Sequence, residues 1–172
     1  MSGNHKLLEI ETDYLRELLS YDPSGALYWR VTRGSVKAGS LAGCKDRNGY
    51  WVVRIDRRNF LAHRLAWQLH HSESPPRYID HINGNPSDFR MENLRPATAS
   101  QNLANSRKQA NTKSGIKGVN PVSKCNSWCA QIVHQGRRHW IGSFRTKEAA
   151  GEAYLAKAKE LFGGFANSGE AA

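Results

Sequence analysis

Apolar positions along the chain fall into short patterned runs separated by turn residues. In "DYLRELL", Leu15, Leu18 and Leu19 share one helical face, and Thr12 is placed to cap it. "DPSG" at 22–25 is a turn with Pro second, and "ALYWRV" after it has strand composition. "RNGYWVVRI" carries Asn48-Gly49, a strong short hairpin signal, and "DRRN" at 56–59 turns the chain again. "FLAHRLAWQLHH" spaces Leu61, Leu65 and Leu69 as a helix, which Pro75-Pro76 ends. "RYIDHI" predicts a short strand, "NGN" a reversal, and "DFRMENLR" an irregular stretch or a single helical turn. "PATASQNLANSRKQ" predicts a helix whose Thr98 and Gln101 make a capping box. The stretch from Tyr78 to Ser106 is too small to hold its own core. It is expected to share one with the preceding helix through Leu65, Leu69, Ile79, Ile82, Leu94 and Leu103.

"SRKQANTKSG" at 106–115 is polar, basic and free of large apolar residues, which predicts a linker. Beyond it, "GIKGVNPV", "SWCAQIVHQ" and "RRHWIGSFR" predict three strands. "TKEAAGEAYLAKAKELFGGFA" predicts a long helix, with Thr146 as cap, Ala149, Ala150, Ala153, Tyr154, Ala158 and Leu161 inward, and Gly163-Gly164 as stop. The expected organisation is a helix-and-strand region at 1–61, a second module at 62–108, a linker at 109–114 and a sheet-and-helix module at 115–166. The fold class is α+β.

Composition narrows the partner. Hydrophobic residues are 39% of the 172, and the net charge is +10, a globular and strongly basic chain suited to a polyanion. No apolar run has membrane length, and "MSGNHKLLEIETDYL" carries charge where a secretory signal would be apolar. The expectation is an intracellular protein without a membrane partner. Three cysteines, Cys44, Cys125 and Cys129, give no disulfide framework; Cys125-x3-Cys129 could be half of a zinc site but lacks a second well-spaced pair, so free, partly buried thiols and no structural zinc are expected.

The candidate chemistry sits in "YIDHINGNPSDFRMENLRPATASQNLANS". Taken alone, such a stretch could be a polar hairpin turn with Asx capping. It could also cut a phosphodiester bond. A neutral histidine, His81, is a suitable base near pH 7 if an acceptor such as the Asn93 amide carbonyl holds its other ring nitrogen. The Asp80 carboxylate and the Asn102 amide carbonyl are hard oxygen ligands for a divalent cation. Asp80 and His81 are neighbours and would face opposite ways on a regular strand, so the strand must end or twist there; Gly84 makes an ending plausible. His63, His70 and His71 fall in or after a helix, where packing or exposure is expected.

The run "HRLAW…IDHINGN…D.R..NLR.AT..QN" resembles the HNH nuclease family, in the form found in phage-borne homing endonucleases. The resemblance covers about residues 62–106. It implies a two-strand, one-helix metal module, with His81 as general base, Asn93 as its orienter, and Asp80 with Asn102 as ligands of one divalent metal. Mg²⁺, or another cation such as Mn²⁺, is the expected cofactor. Arg90 and Arg95 fall where the family keeps basic residues and are expected to steady the phosphate. Phe89 stands where relatives often have asparagine.

The C-terminal run, with Lys117-Gly118-Val119, Trp128, His139-Trp140-Ile141-Gly142-Ser143-Phe144 and Thr146 through Ala158, resembles the plant ethylene-response-factor (Apetala-type) DNA-binding domain. That resemblance implies DNA contact by Lys117, Asn120, Lys124, Gln131, Arg138 and Trp140. Asn120 and Val133 stand where the plant proteins often carry arginine, so the plant target does not carry over. The tryptophans could instead simply cover the helix.

Together these readings predict a homing-type endonuclease that nicks double-stranded DNA as a monomer, in the cytoplasm of a bacterial host if phage-encoded. Arg54, Arg57, Arg58 and Arg64 are expected to add backbone contacts. The rival readings are a DNA-binding regulator with an inactive nuclease module and, less favoured, an RNA-binding protein.

Overall fold

The computed structural model describes residues 9–106, 113–123 and 125–167. The chain is α+β and divides into two compact units, Met1–Pro96 and Ala97–Ala172.

In the first unit, helix α1 (Thr12–Leu18) runs into strand β1 (Leu19–Tyr21), which pairs antiparallel with β2 (Leu27–Trp29) across the expected "DPSG" turn. A three-stranded antiparallel sheet follows: β3 (Cys44–Lys45), β4 (Trp51–Ile55) and β5 (Arg58–Leu61). Asn48-Gly49 turns β3 into β4, with Gly49 at φ 84° and the Asp46 carboxylate accepting from the backbone of Asn48 and Tyr50. Between β4 and β5 the turn is tighter than "DRRN" suggested. Asp56 and Arg57 alone make it, both at positive φ as a type I′ hairpin requires, so Arg58 and Asn59 lie on the strand.

Strand β5 passes directly into helix α2 (Ala62–His71), with Leu61 as N-cap, and the short antiparallel pair β6 (Ile79–His81) and β7 (Leu94–Pro96) closes the unit. A 3₁₀ turn, Met91–Asn93, leads into β7. The core joins Leu15, Leu19, Leu27, Val53, Ile55, Leu65, Ile79 and Leu94. The expected core members Leu65, Ile79 and Leu94 are therefore inside, and Leu69 packs partly against them. Ile82 and Leu103 are not: they are 45% and 57% exposed. Ile82 comes one residue after β6 ends, where the alternation that predicts burial has stopped.

The second unit contains helix α3 (Ala99–Asn105), the antiparallel sheet of β8 (Val119–Val122), β9 (Ser127–His134) and β10 (Arg137–Phe144), and helix α4 (Lys147–Phe162). The Thr98–Gln101 capping box forms as expected, and Thr146 caps α4 by accepting from the Ala149 N–H. Val119, Ala130 and Ile132 of the sheet meet Ala150, Tyr154, Ala158 and Phe162 of α4, and Ala104 of α3 joins them. A Cβ at Gly118 would meet the Tyr154 ring at 2.2 Å, and φ there is +71°, so the position admits glycine alone. Ser114, expected in the linker, is buried and bonds the Val119 carbonyl; residues 109–112 of that linker lie outside the described residues.

One predicted cap is replaced by a tertiary contact. Glu11, not Thr12, is the N-cap of α1, and the Thr12 hydroxyl instead accepts from the buried Gln68 amide at 2.9 Å. The same amide donates to the Ile10 carbonyl at 2.7 Å, tying α2 to the segment entering α1. Gln68→Leu keeps the volume but removes two bonds to half-buried acceptors, at a cost of about 0.5–1.5 kcal/mol each. A lower urea midpoint for the full chain is expected; an unchanged midpoint would show that the two bonds contribute nothing net.

Candidate active site

Strand β6 carries Asp80 and His81 as neighbours, and both are buried, at 3% and 8% exposure. Register sets their surroundings. Asp80 lies opposite Arg95 and His81 opposite Leu94. The Asp80 carboxylate accepts from Arg95 Nε at 2.8 Å. Residue 81 shares its face with Ile79, a member of the core that includes α2. The conflict between the two neighbours' directions is met by burying both faces of the strand. β6 ends at His81, as expected, and the Gly84 N–H closes a turn on the His81 carbonyl, with Gly84 at φ 66°.

The His81 ring packs against His63, with centroids 4.9 Å apart and planes at 76°, and Tyr50 stands 6.5 Å away. Burial pushes the His81 pKa below its ordinary value; the nearby carboxylates of Asp80 and Asp88 oppose that shift. The imidazole is therefore neutral at pH 7, the state a base needs.

Asn93 is buried, and its amide serves the loop rather than the ring. Oδ1 accepts from the Asn83 N–H at 2.9 Å, and Nδ2 donates to the Asp88 carbonyl at 2.7 Å. The carbonyl expected to hold His81 is thus engaged across the β6–β7 loop. The Asn93 backbone carbonyl also accepts from Ile82 N–H at 2.8 Å. Arg90 is exposed, but its guanidinium is paired with carboxylates of the loop. Its guanidinium makes two bonds to Asp88, at 2.9 and 2.8 Å, and reaches Glu92 at 2.7 Å. These bonds hold the Asp88 carboxyl down at about 2. Arg90 thus braces the loop that follows His81.

Asn102 lies on α3 and so belongs to the second unit. Carboxylate and amide oxygens such as those of Asp80 and Asn102 suit a hard cation. Among the described residues no group of three or more His, Cys, Asp or Glu stands ready to hold a metal.

The expected DNA contacts divide. Arg54, Arg57 and Arg58 are exposed along the β4–β5 hairpin. Arg64 is not available: it donates to the carbonyls of Pro75 and Pro76 at 3.3 and 2.8 Å and holds the chain leaving α2. In the second unit, Gln131 pairs opposite Trp140, Asn120 opposite Cys129, and Arg138 opposite Val133. The alternation therefore puts Asn120, Gln131, Arg138 and Trp140 on one face, away from the Ala130–Ile132 face that meets α4. Trp140 is 62% exposed and does not cover the helix. Lys117 departs from the set. Its ammonium donates to the carbonyls of Leu103, Ala104 and Ser106, at 2.9, 2.5 and 2.7 Å, and caps the end of α3. Lys124 lies outside the described residues.

His63, expected from its helix to pack or be exposed, proves to be buried against His81, a contact the sequence did not indicate. It sits in the first turn of α2, and its 18-residue separation from His81 matches no local period. Burial pushes its pKa down to about 3, with the positive charges of His81 and Arg64 adding to the effect. Histidine in the unfolded chain titrates near 6.5, so between those values only the unfolded chain takes up the proton. Stability contributed by neutral His63 is complete above about pH 6.5 and falls as the pH drops toward 3, by up to roughly 1.4 kcal/mol per pH unit. Urea titrations across that range should show a shallower pH dependence for His63→Phe than for the wild type; parallel profiles would contradict a buried neutral imidazole.

Comparison with known proteins places the family over the stretch that holds this site. Residues 60–104 match the model of the HNH endonuclease family. An uncharacterised HNH endonuclease of Acanthamoeba polyphaga mimivirus is 36% identical over 122 residues, 70% of this chain and 62% of that protein. Protein 3.8 of Escherichia phage T7 is 30% identical over 105 residues, 60% of this chain and 86% of that protein. No solved structure matches. The chain thus spans under two thirds of the mimivirus relative, but most of the phage one. It carries an HNH endonuclease domain over residues 60–104, is homologous to a viral HNH endonuclease, and belongs to one family with Protein 3.8 of phage T7.

Proposed function

We propose that the chain is a divalent-metal-dependent DNA endonuclease of the homing type, which nicks duplex DNA as a monomer with His81 as general base. The observation that carries this reading is the pairing of a buried, neutral His81 with a buried Asp80 at the end of β6, inside the HNH-matched residues.

His81 takes the proton from a water molecule as the water oxygen bonds to phosphorus. The bond from phosphorus to the 3′ oxygen breaks, and the departing oxygen takes a proton from solvent water, leaving a 5′-phosphate and a 3′-hydroxyl. A cation assigned by the motif to Asp80 and Asn102 supplies Lewis acidity to the phosphate when bound. Arg95 fixes the Asp80 carboxylate, and the Asn93 amide with the Arg90–Asp88 pair fixes the loop that follows His81. Asp88 stays ionised throughout the working pH range, so that brace persists.

The exposed arginines of the β4–β5 hairpin and the Asn120, Gln131, Arg138 and Trp140 face are the proposed DNA contacts. A three-stranded sheet presenting one polar, aromatic face is suited to a groove, in keeping with the Apetala-type resemblance. The net charge of +10 supports phosphate neutralisation along that path.

Conversion of supercoiled plasmid to open circle, in Mg²⁺ and in EDTA, tests the reading. The wild type is expected to nick only with Mg²⁺. His81→Ala should lower the rate on the order of 10²–10⁴-fold, the usual contribution of a general base, while DNA affinity is kept. Arg138→Ala with Trp140→Ala should weaken binding first. Tight, Mg²⁺-independent binding without any nick would favour the regulator instead.

A further inference from the structure

We propose that His63 is a positioning residue for the base: its imidazole, backed by Tyr50, holds the His81 ring at its working angle. The assignment of a base role to His81 rests on the nuclease reading; the ring contact itself rests on geometry.

An imidazole is turned about a broad, roughly two-fold torsion that rotamer preference does not settle. Something outside the residue must choose the angle. The Asn93 amide is engaged with Asn83 and Asp88. The rings beside His81 are His63, at 4.9 Å and 76°, and Tyr50, at 6.5 Å and 62°; those two are themselves 6.2 Å apart. The three rings come from three elements, the β3–β4 turn, the start of α2 and the end of β6, and meet only where these converge.

Each support is anchored. His63 is only 6% exposed and sits two residues past the β5–α2 junction. Tyr50 follows Gly49, whose carbonyl accepts from the Ser87 hydroxyl at 3.0 Å. That bond ties the hairpin turn to the same loop that Asn93 clasps. The Tyr50 backbone is held from both sides by Asp46, whose N–H donates to its carbonyl at 2.8 Å and whose carboxylate accepts from its N–H at 2.8 Å. A buried neutral imidazole also adds no positive charge beside a base that gains one during the reaction. Tyr50 lies outside the residues matched to the HNH family, so the first unit contributes to the site from beyond the motif.

The test uses the full chain as wild type, His63→Ala and His63→Phe, with ¹³C-labelled histidine and tyrosine. Two readouts are taken: the nuclear Overhauser contact between the His81 and Tyr50 rings, and kcat and KM for plasmid nicking in Mg²⁺. His63→Ala should weaken the ring contact and lower kcat by about 10- to 100-fold, as a small misplacement of a catalytic group does, with KM unchanged. His63→Phe, which keeps a ring at that position, should restore both. Wild-type contact and kcat in a folded His63→Ala would overturn the proposal, as would a His63→Phe no better than alanine. If the wild type does not nick, the nuclease reading fails by itself. The ring contact then decides: its loss in His63→Ala and return in His63→Phe support the positioning role, and its persistence in His63→Ala overturns it.

Discussion

The buried amide of Asn93 is the constraint on which the site depends. It spans the loop between β6 and β7, taking a donor from Asn83 and giving one to the Asp88 carbonyl. A loop of this kind, rich in Asn, Asp, Ser and Gly, has many conformations of similar energy, and ordering it costs entropy at every residue. The amide selects one. Its bonds are sheltered from water, so losing either would strand a buried polar group rather than exchange it for solvent. With the loop set, β6 must end at His81, Asp80 must face Arg95, and Asp88 is presented to Arg90. The electrostatics follow: burial keeps His81 neutral against two carboxylates that would charge it.

Local rules made much of the fold legible. Asn48-Gly49 announced its hairpin, Thr98 and Gln101 their capping box, and the Ala/Tyr/Ala spacing the inner face of α4, since each device works within a few residues. The misses share another cause. Thr12 was a good cap by type, but the Gln68 amide, 56 residues away, claimed its hydroxyl. Leu103 was apolar and at helical spacing, yet it is Ala104 of that helix that enters the core. Tertiary partners outbid local preference in both cases, and no window of sequence contains them.

The site shows the same division. The residue types of the motif, Asp80, His81, Asn93 and Asn102, were readable from their spacing and from the chemistry of a base and hard oxygen donors. The tasks of charged and amide side chains were less so. Arg90 and Lys117 were read as phosphate contacts from the family resemblances and Arg64 from the basic N-terminal region; each also satisfies carboxylates or backbone carbonyls of the fold, which the sequence did not show. Net charge reports the partner a surface suits, not which cations remain free to meet it. His63, expected to be a packing or surface histidine, does pack; the sequence did not say that its partner is the His81 ring.

The most direct measurement of the account is the fate of the attacking oxygen. Plasmid nicked by the full chain in H₂¹⁸O with Mg²⁺ would be digested and its new ends analysed by mass spectrometry. Water activated by His81 and attacking phosphorus, with the 3′ oxygen leaving, predicts one ¹⁸O atom in the 5′-phosphate and an unlabelled 3′-hydroxyl. Label on a 3′-phosphate, or ends free of label, would contradict it.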